Sequence, residues 1–193
     1  MSEQTRKLTT IAMLTAVSAV LITLVHFPLF PSAAFLQYDP ADVSILIGAF
    51  AYGPVAGVII TVLASFIQAF FLGGDGVYGF LMHVIASSVL AVTAGSIYRL
   101  RHTRAGAALS LCCGTLMMGL VMMVANHFIT PMFMGAPVEI VDAMLLPVIL
   151  PFNLLKAGIN SVITFLVYKT VSRYVIHGEA WDRKKKRGAQ ESA

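Results

Sequence analysis

Apolar residues gather in six blocks along this chain, over residues 8–27, 43–52, 54–72, 79–98, 105–129 and 147–168, with short polar stretches between them. A helix rises about 1.5 Å per residue and the hydrocarbon core of a bilayer is about 30 Å thick, so about 20 residues make one crossing. Each block except 43–52 is long enough to span. Gly53-Pro54 separates the second block from the third. A proline inside a helix loses a backbone hydrogen bond and clashes with the preceding turn, so two helices are expected there.

The basic residues fix the orientation that this pattern implies. Twelve of the 13 Lys and Arg fall in three places: Arg6 and Lys7, then Arg99, Arg101 and Arg104, then Lys169, Arg173 and the run 183–187. Basic residues stay cytoplasmic, so Arg6 and Arg99 belong on one side and an even number of crossings must lie between them. The stretch 43–72 therefore counts twice. The expectation is an all-α integral membrane protein, a bundle of six transmembrane helices with both termini cytoplasmic. Residues 1–176 form the membrane domain and 177–193 a basic, disordered cytoplasmic tail.

Composition agrees. At 58% hydrophobic and 11% charged residues, a soluble domain of 193 residues could not cover itself with polar groups, and the lipid bilayer must do so. The formal charge of +4 resides at the cytoplasmic ends and is a topology signal, not a nucleic-acid footprint. Cys112 and Cys113 are adjacent and apolar-flanked, which fits neither a disulfide framework nor a metal site. Arg6-Lys7 followed by an apolar run resembles a secretory signal, but the run is too long for one, so the first helix is expected to stay in the mature protein.

This topology places Asp39, Asp42, Asp75, Glu139 and Asp142 on the outer side, in connections of which 26–42 and 130–146 are long for a compact bundle. Long ordered loops usually carry function. Asp39 and Asp42 bracket the start of the second helix, where carboxylates cap free N–H groups, and capping is the expected role of Asp42.

The thirteenth cation, Lys156, interrupts an apolar run. Asn153, Lys156 and Asn160 are spaced i, i+3, i+7 and share one helix face. Asn126, His83 and Gln68 fall at similar depth on three other helices, beneath the outer connections. Each has a plainer reading. Lys156 could snorkel to the interface, the amides could be interhelical glue, and a lone membrane histidine is usually a satisfied bundle residue. Their coincidence at one depth points instead to a pocket with a few convergent polar groups in an apolar lining. Phe35, Tyr38, Tyr78, Phe80, Phe128, Phe133 and Phe152 cluster toward the same side and suit a flat ligand or an interfacial belt. On the first helix Ala12, Ala16 and Ala19 make a small-residue stripe that permits close helix approach, as do Gly53-xxx-Gly57 and Ala91-xxx-Gly95.

The segments Phe35-Leu-Gln-Tyr-Asp-Pro-Ala-Asp42, Gly53-Pro-Val-Ala-Gly57 and Pro151-Phe-Asn-Leu-Leu-Lys156, in this order within six short spans, resemble the substrate-binding S components of energy-coupling-factor vitamin transporters. The resemblance is greatest to the riboflavin-specific branch and runs from the first helix through Lys169. It implies a plasma-membrane protein, not an enzyme, that captures a vitamin from outside under a lid formed by the first outer loop. It further implies that Asn126, Asn153 and Lys156 contact a riboflavin ring, with Asn160, His83, Gln68, Tyr38 and Asp39 as further ligand-binding candidates. The bound molecule would be riboflavin or a related flavin, with no resident cofactor, no metal and no catalytic residue. Its Ala12, Ala16 and Ala19 face would dock on a membrane T component driven by two ATPase subunits. The chain departs from the branch at the fourth helix, where Gly79-Phe-Leu-Met-His83 stands in place of Gly-Glu-Leu-x-Asn, so another heterocyclic vitamin stays open.

No G-x-x-x-x-G-K-[ST] occurs, so ATP hydrolysis must come from partners. The rival from another class is an intramembrane enzyme or haem protein built on His83 and His127. A stand-alone permease is a further rival, against which the small size and lack of an internal repeat weigh.

Overall fold

A computed structural model describes residues 2–72 and 76–171. Asp75, Arg173 and the basic tail 177–193 lie outside the described residues. The elements in chain order are α1 (Glu3–Leu24), β1 (Phe27–Pro28), a 3₁₀ turn (Pro31–Ala33), β2 (Gln37–Tyr38), α2 (Ala41–Tyr52), α3 (Pro54–Phe71), α4 (Gly76–Leu100), α5 (Arg104–Met134), α6 (Val138–Met144), a π turn (Leu145–Ile149) and α7 (Leu150–Val171).

Five stretches are long and apolar enough to cross a membrane: α1, α3, α4, α5 and the continuous rod 138–168. Helix α2 is not among them, at 12 residues. Its placement explains how so short a helix is tolerated. Residues 41–50 are all buried, so α2 runs inside the bundle against α1, α3, α4 and α7 and need not match the lipid's thickness. The expected break after it is present. Gly53 has φ of +91°, a conformation L side chains rarely adopt, and Pro54 opens α3 at the first helical position, where its missing N–H is harmless.

Small residues set the spacing around α2. A Cβ on Gly57 would come within 2.8 Å of Ala49 Cβ and 2.9 Å of Ala91 Cβ, and one on Gly95 within 3.2 Å of Ala49 Cβ. The Gly57 and Ala91/Gly95 stripes are therefore internal packing. The stripe on α1 differs. Its buried face is Ile11, Leu14, Thr15, Ser18 and Ile22, whereas Ala12 and Ala16 are exposed and Ala19 is half-buried.

Two expectations about the outer side need correction. Residues 130–146 are not a loop: α5 continues through Pro131 to Met134, and α6 begins at Val138. The last span starts before Pro147, because a π turn absorbs that proline, with Leu150 N–H donating to Leu145 O at i−5. The 26–42 connection is also ordered. Phe27 pairs with Tyr38 and Pro28 with Gln37, and Ala33 and Leu36 pack in a separate small core with Val141, Ile149 and Phe152. This connection is thus a folded cap resting on the α6 end of the α6–α7 rod.

Candidate functional site

Beneath the cap lies a partly open cavity with about 150 Å³ of water-accessible space. A water needs roughly 10–15 Å³ on that measure, so the space is well above what a single water requires. The cap supplies His26, Phe35, Leu36, Gln37 and Asp39 to the wall. Helices α3, α4, α5 and α7 supply the rest, among them Gln68, His83, Asn126, Thr130, Asn153 and Lys156. The other wall residues are mostly apolar, including Met82, Ala86, Met118, Met122 and Ile129.

The α7 face forms as its spacing requires: Asn153, Lys156 and Asn160 are all buried. Lys156 does not snorkel. Its ammonium donates to Asp39 Oδ2 at 2.7 Å and to Gln37 O at 3.4 Å, with the residue 7% exposed. Asn160 Nδ2 donates to Asp39 O at 3.0 Å and Asp42 Oδ2 at 3.1 Å, and its Oδ1 accepts from Tyr38 Oη at 3.0 Å. Lys156 and Asn160, one turn apart on α7, therefore grip Gln37, Tyr38 and Asp39 of the cap.

Electrostatics within the cap follow from this grip. Burial alone would raise the Asp39 carboxyl, but the Lys156 ammonium, helped by His83 and the Ala41 N–H, outweighs it and holds the group below its ordinary value. The Tyr38 hydroxyl is pushed up, first by burial and then by the charges of Asp39 and Asp42, so it stays a donor to Asn160. Asp42 does not cap α2. It sits in the first turn fully buried, accepting from Ser87 Oγ and Asn160 Nδ2, while Asp39 Oδ1 takes the Ala41 N–H at 3.1 Å.

Of the eight candidates, six line the cavity: Asn126, Asn153, Lys156, His83, Gln68 and Asp39. Tyr38 and Asn160 do not. Their hydrogen bonds join the cap to α7, which is an anchoring role. Among the aromatics, Phe35, Tyr78, Phe133 and Phe152 line it, and Tyr38, Phe80 and Phe128 do not.

The two amides keep unused bonding capacity. Asn126 Nδ2 donates to Met122 O at 2.7 Å and its Oδ1 accepts from Thr130 Oγ1 at 2.8 Å. Asn153 Nδ2 donates to Ile149 O at 2.8 Å. An amide has two N–H donors and two acceptor lone pairs, so each retains one N–H, Asn126 a lone pair and Asn153 its whole oxygen. These back-bonds to their own helices fix the rotamers. Thr130, one turn beyond Asn126, was missed from the sequence, although an i+4 hydroxyl beside a buried amide is a legible signal.

His127 does not join His83. It pairs with Asp142 on α6, half-exposed and away from the cavity wall, so no two-histidine centre forms. No cluster of three or more His, Cys, Asp or Glu placed to hold a metal occurs among the described residues.

Comparison with known proteins identifies what this architecture is similar to. The family described as ECF transporter, substrate-specific component, matches residues 6–168. A riboflavin transporter of Staphylococcus aureus (strain TCH60) is 28% identical over 179 residues, covering 90% of this chain and 94% of that protein. One from Bacillus subtilis (strain 168) is 28% identical over 172 residues, covering 84% and 90%. A solved structure of the S component of a bacterial ECF transporter superposes with a TM-score of 0.78 at 29% identity, over 90% of this chain and 99% of the other.

Proposed function

The chain belongs to the substrate-specific components of ECF transporters, and on that premise we propose that it captures riboflavin from the outer side of the plasma membrane for an ATP-driven importer. It is a membrane transport subunit and not an enzyme. The observation that carries the ligand is the free bonding capacity of Asn126 and Asn153 on one cavity beneath a folded cap. An isoalloxazine edge alternates carbonyl oxygens with ring nitrogens, and two amides held by back-bonds can satisfy both kinds of atom. The Met and aliphatic lining suits the rest of a fused ring.

Lys156 enters this reading differently from a free ammonium. Its first partner is Asp39, so it presents to a ligand only what the ion pair leaves over, one of three donors. Asp39 is both a wall residue and the latch of the cap.

In this reading α2 is carried through the bundle as a sixth crossing, both termini are cytoplasmic, and the cap faces out. Residues 1–176 form the binding domain and 177–193 a cytoplasmic tail. The exposed Ala12 and Ala16, with Ala19 beside them, form the face that docks on a T component coupled to two ATPases.

Equilibrium titration of the purified protein against a small vitamin panel tests the ligand. One riboflavin per chain, with loss of free flavin fluorescence, is expected. Binding of a different heterocyclic vitamin with no flavin bound would assign the cavity elsewhere, an outcome that the Phe80 and His83 departures make worth including in the panel.

A further inference from the structure

Asn160 stands behind the cavity wall, not in it, yet both polar atoms of its side chain are engaged. Its nitrogen donates to Asp39 O at 3.0 Å and Asp42 Oδ2 at 3.1 Å, and its oxygen accepts from Tyr38 Oη at 3.0 Å. An amide nitrogen carries two N–H groups, so no donor is left for a ligand. A main-chain carbonyl can only accept, and the bond to Asp39 O therefore fixes which way round the amide sits.

Asp39, which does line the cavity, is held at three atoms. Lys156 takes Oδ2 at 2.7 Å, the Ala41 N–H takes Oδ1 at 3.1 Å, and Asn160 takes the main-chain oxygen. Behind Asn160 stands a second layer. Asp42 accepts from Asn160 and from Ser87 Oγ on α4, and both Asp42 and Ser87 are fully buried and absent from the wall. A buried network whose members satisfy one another is rigid, so α2, α4 and α7 together fix the backbone of one wall residue of the cap.

We propose that Asn160, backed by Asp42 and Ser87, is a positioning residue that acts through Asp39 and sets how long a captured ligand stays. The inference rests on the flavin reading above. A ligand roofed by the cap leaves when the cap yields, so loosening this node speeds departure more than it slows arrival.

Asn160→Asp is nearly isosteric and sets an acceptor against Asp39 O, which turns that contact repulsive. Release of radiolabelled riboflavin from the detergent-purified protein into excess unlabelled riboflavin should be about tenfold faster than from wild type. Association, followed by loss of flavin fluorescence, should change less than about threefold. A purely structural role would instead reduce the number of binding sites while the surviving fraction released flavin at the wild-type rate. Where Asn160→Asp does not fold, Tyr38→Phe decides, since it deletes only the Oη donor to Asn160 and should also speed release. A wild-type release rate in the deciding variant, or slowed association with unchanged release, would overturn the positioning role. Failure of the wild type to bind riboflavin would instead remove the reading on which it rests.

Discussion

Lys156 on α7 and Asp39 in the cap are joined by a 2.7 Å ion pair with both residues almost fully buried. The pair ties a membrane helix to the segment that roofs the cavity. Removing one member of a buried pair leaves the other charge stranded, which typically costs about 3–5 kcal/mol.

Lys156→Met should therefore lower the thermal midpoint of the detergent-purified protein as well as weaken ligand capture. Replacing Asp39 by Asn in the same chain should restore part of that midpoint, because no unpaired carboxylate is then left buried. A double variant as unstable as the sum of both singles would show that the two residues act independently.

The pH dependence follows from the same pair. Asp39 titrates below its ordinary value of 3.8 in the folded protein, so its stabilising contribution is fully present above that value. It is lost as pH falls through the lowered folded value. The stability difference between wild type and Asp39→Asn should be flat from pH 7 to pH 5 and shrink only under stronger acid. Differential scanning fluorimetry of both proteins across that range would expose a contradiction as a difference that already changes near pH 6.

Replacing Ala12 and Ala16 with Leu should leave ligand binding and the thermal midpoint unchanged, since both side chains face outward. Uptake by cells that also express the T component and ATPases should be abolished. A fall in binding itself would mean that this stripe supports the fold.

Gly57→Val should be destabilising by about 1–3 kcal/mol through overpacking. The added carbon meets Ala49 and Ala91 Cβ atoms inside 3.0 Å. Combining it with Ala49→Gly should recover part of the loss in a thermal melt, and no recovery would place the clash elsewhere.

Much of this architecture is legible in the residues. Gly53-Pro54 announces the α2–α3 break because one residue needs a positive φ and the other tolerates a helix start. The i, i+3, i+7 spacing of Asn153, Lys156 and Asn160 predicts their common inward face. Their division of labour is not legible, because it depends on which loop atoms arrive from more than a hundred residues away. Asp42 shows the same limit. Local propensity favours a capping role, but tertiary partners on α4 and α7 claim its carboxylate. The 130–146 segment reads as a connection between apolar blocks, whereas Pro131 is carried inside α5 and Pro147 inside a π turn.

The π turn at Leu145–Ile149 also sets the rotational phase of the rod it interrupts. Each α-helical residue turns the backbone by about 100°, and the wider turn admits an extra residue without breaking the rod. Val141 and Phe152 on either side can thus both face the cap's small core. Excising a single residue there would screw the two halves back into ordinary register by about a quarter-turn, so that α6 and the amide-bearing half of α7 could no longer address the same interior.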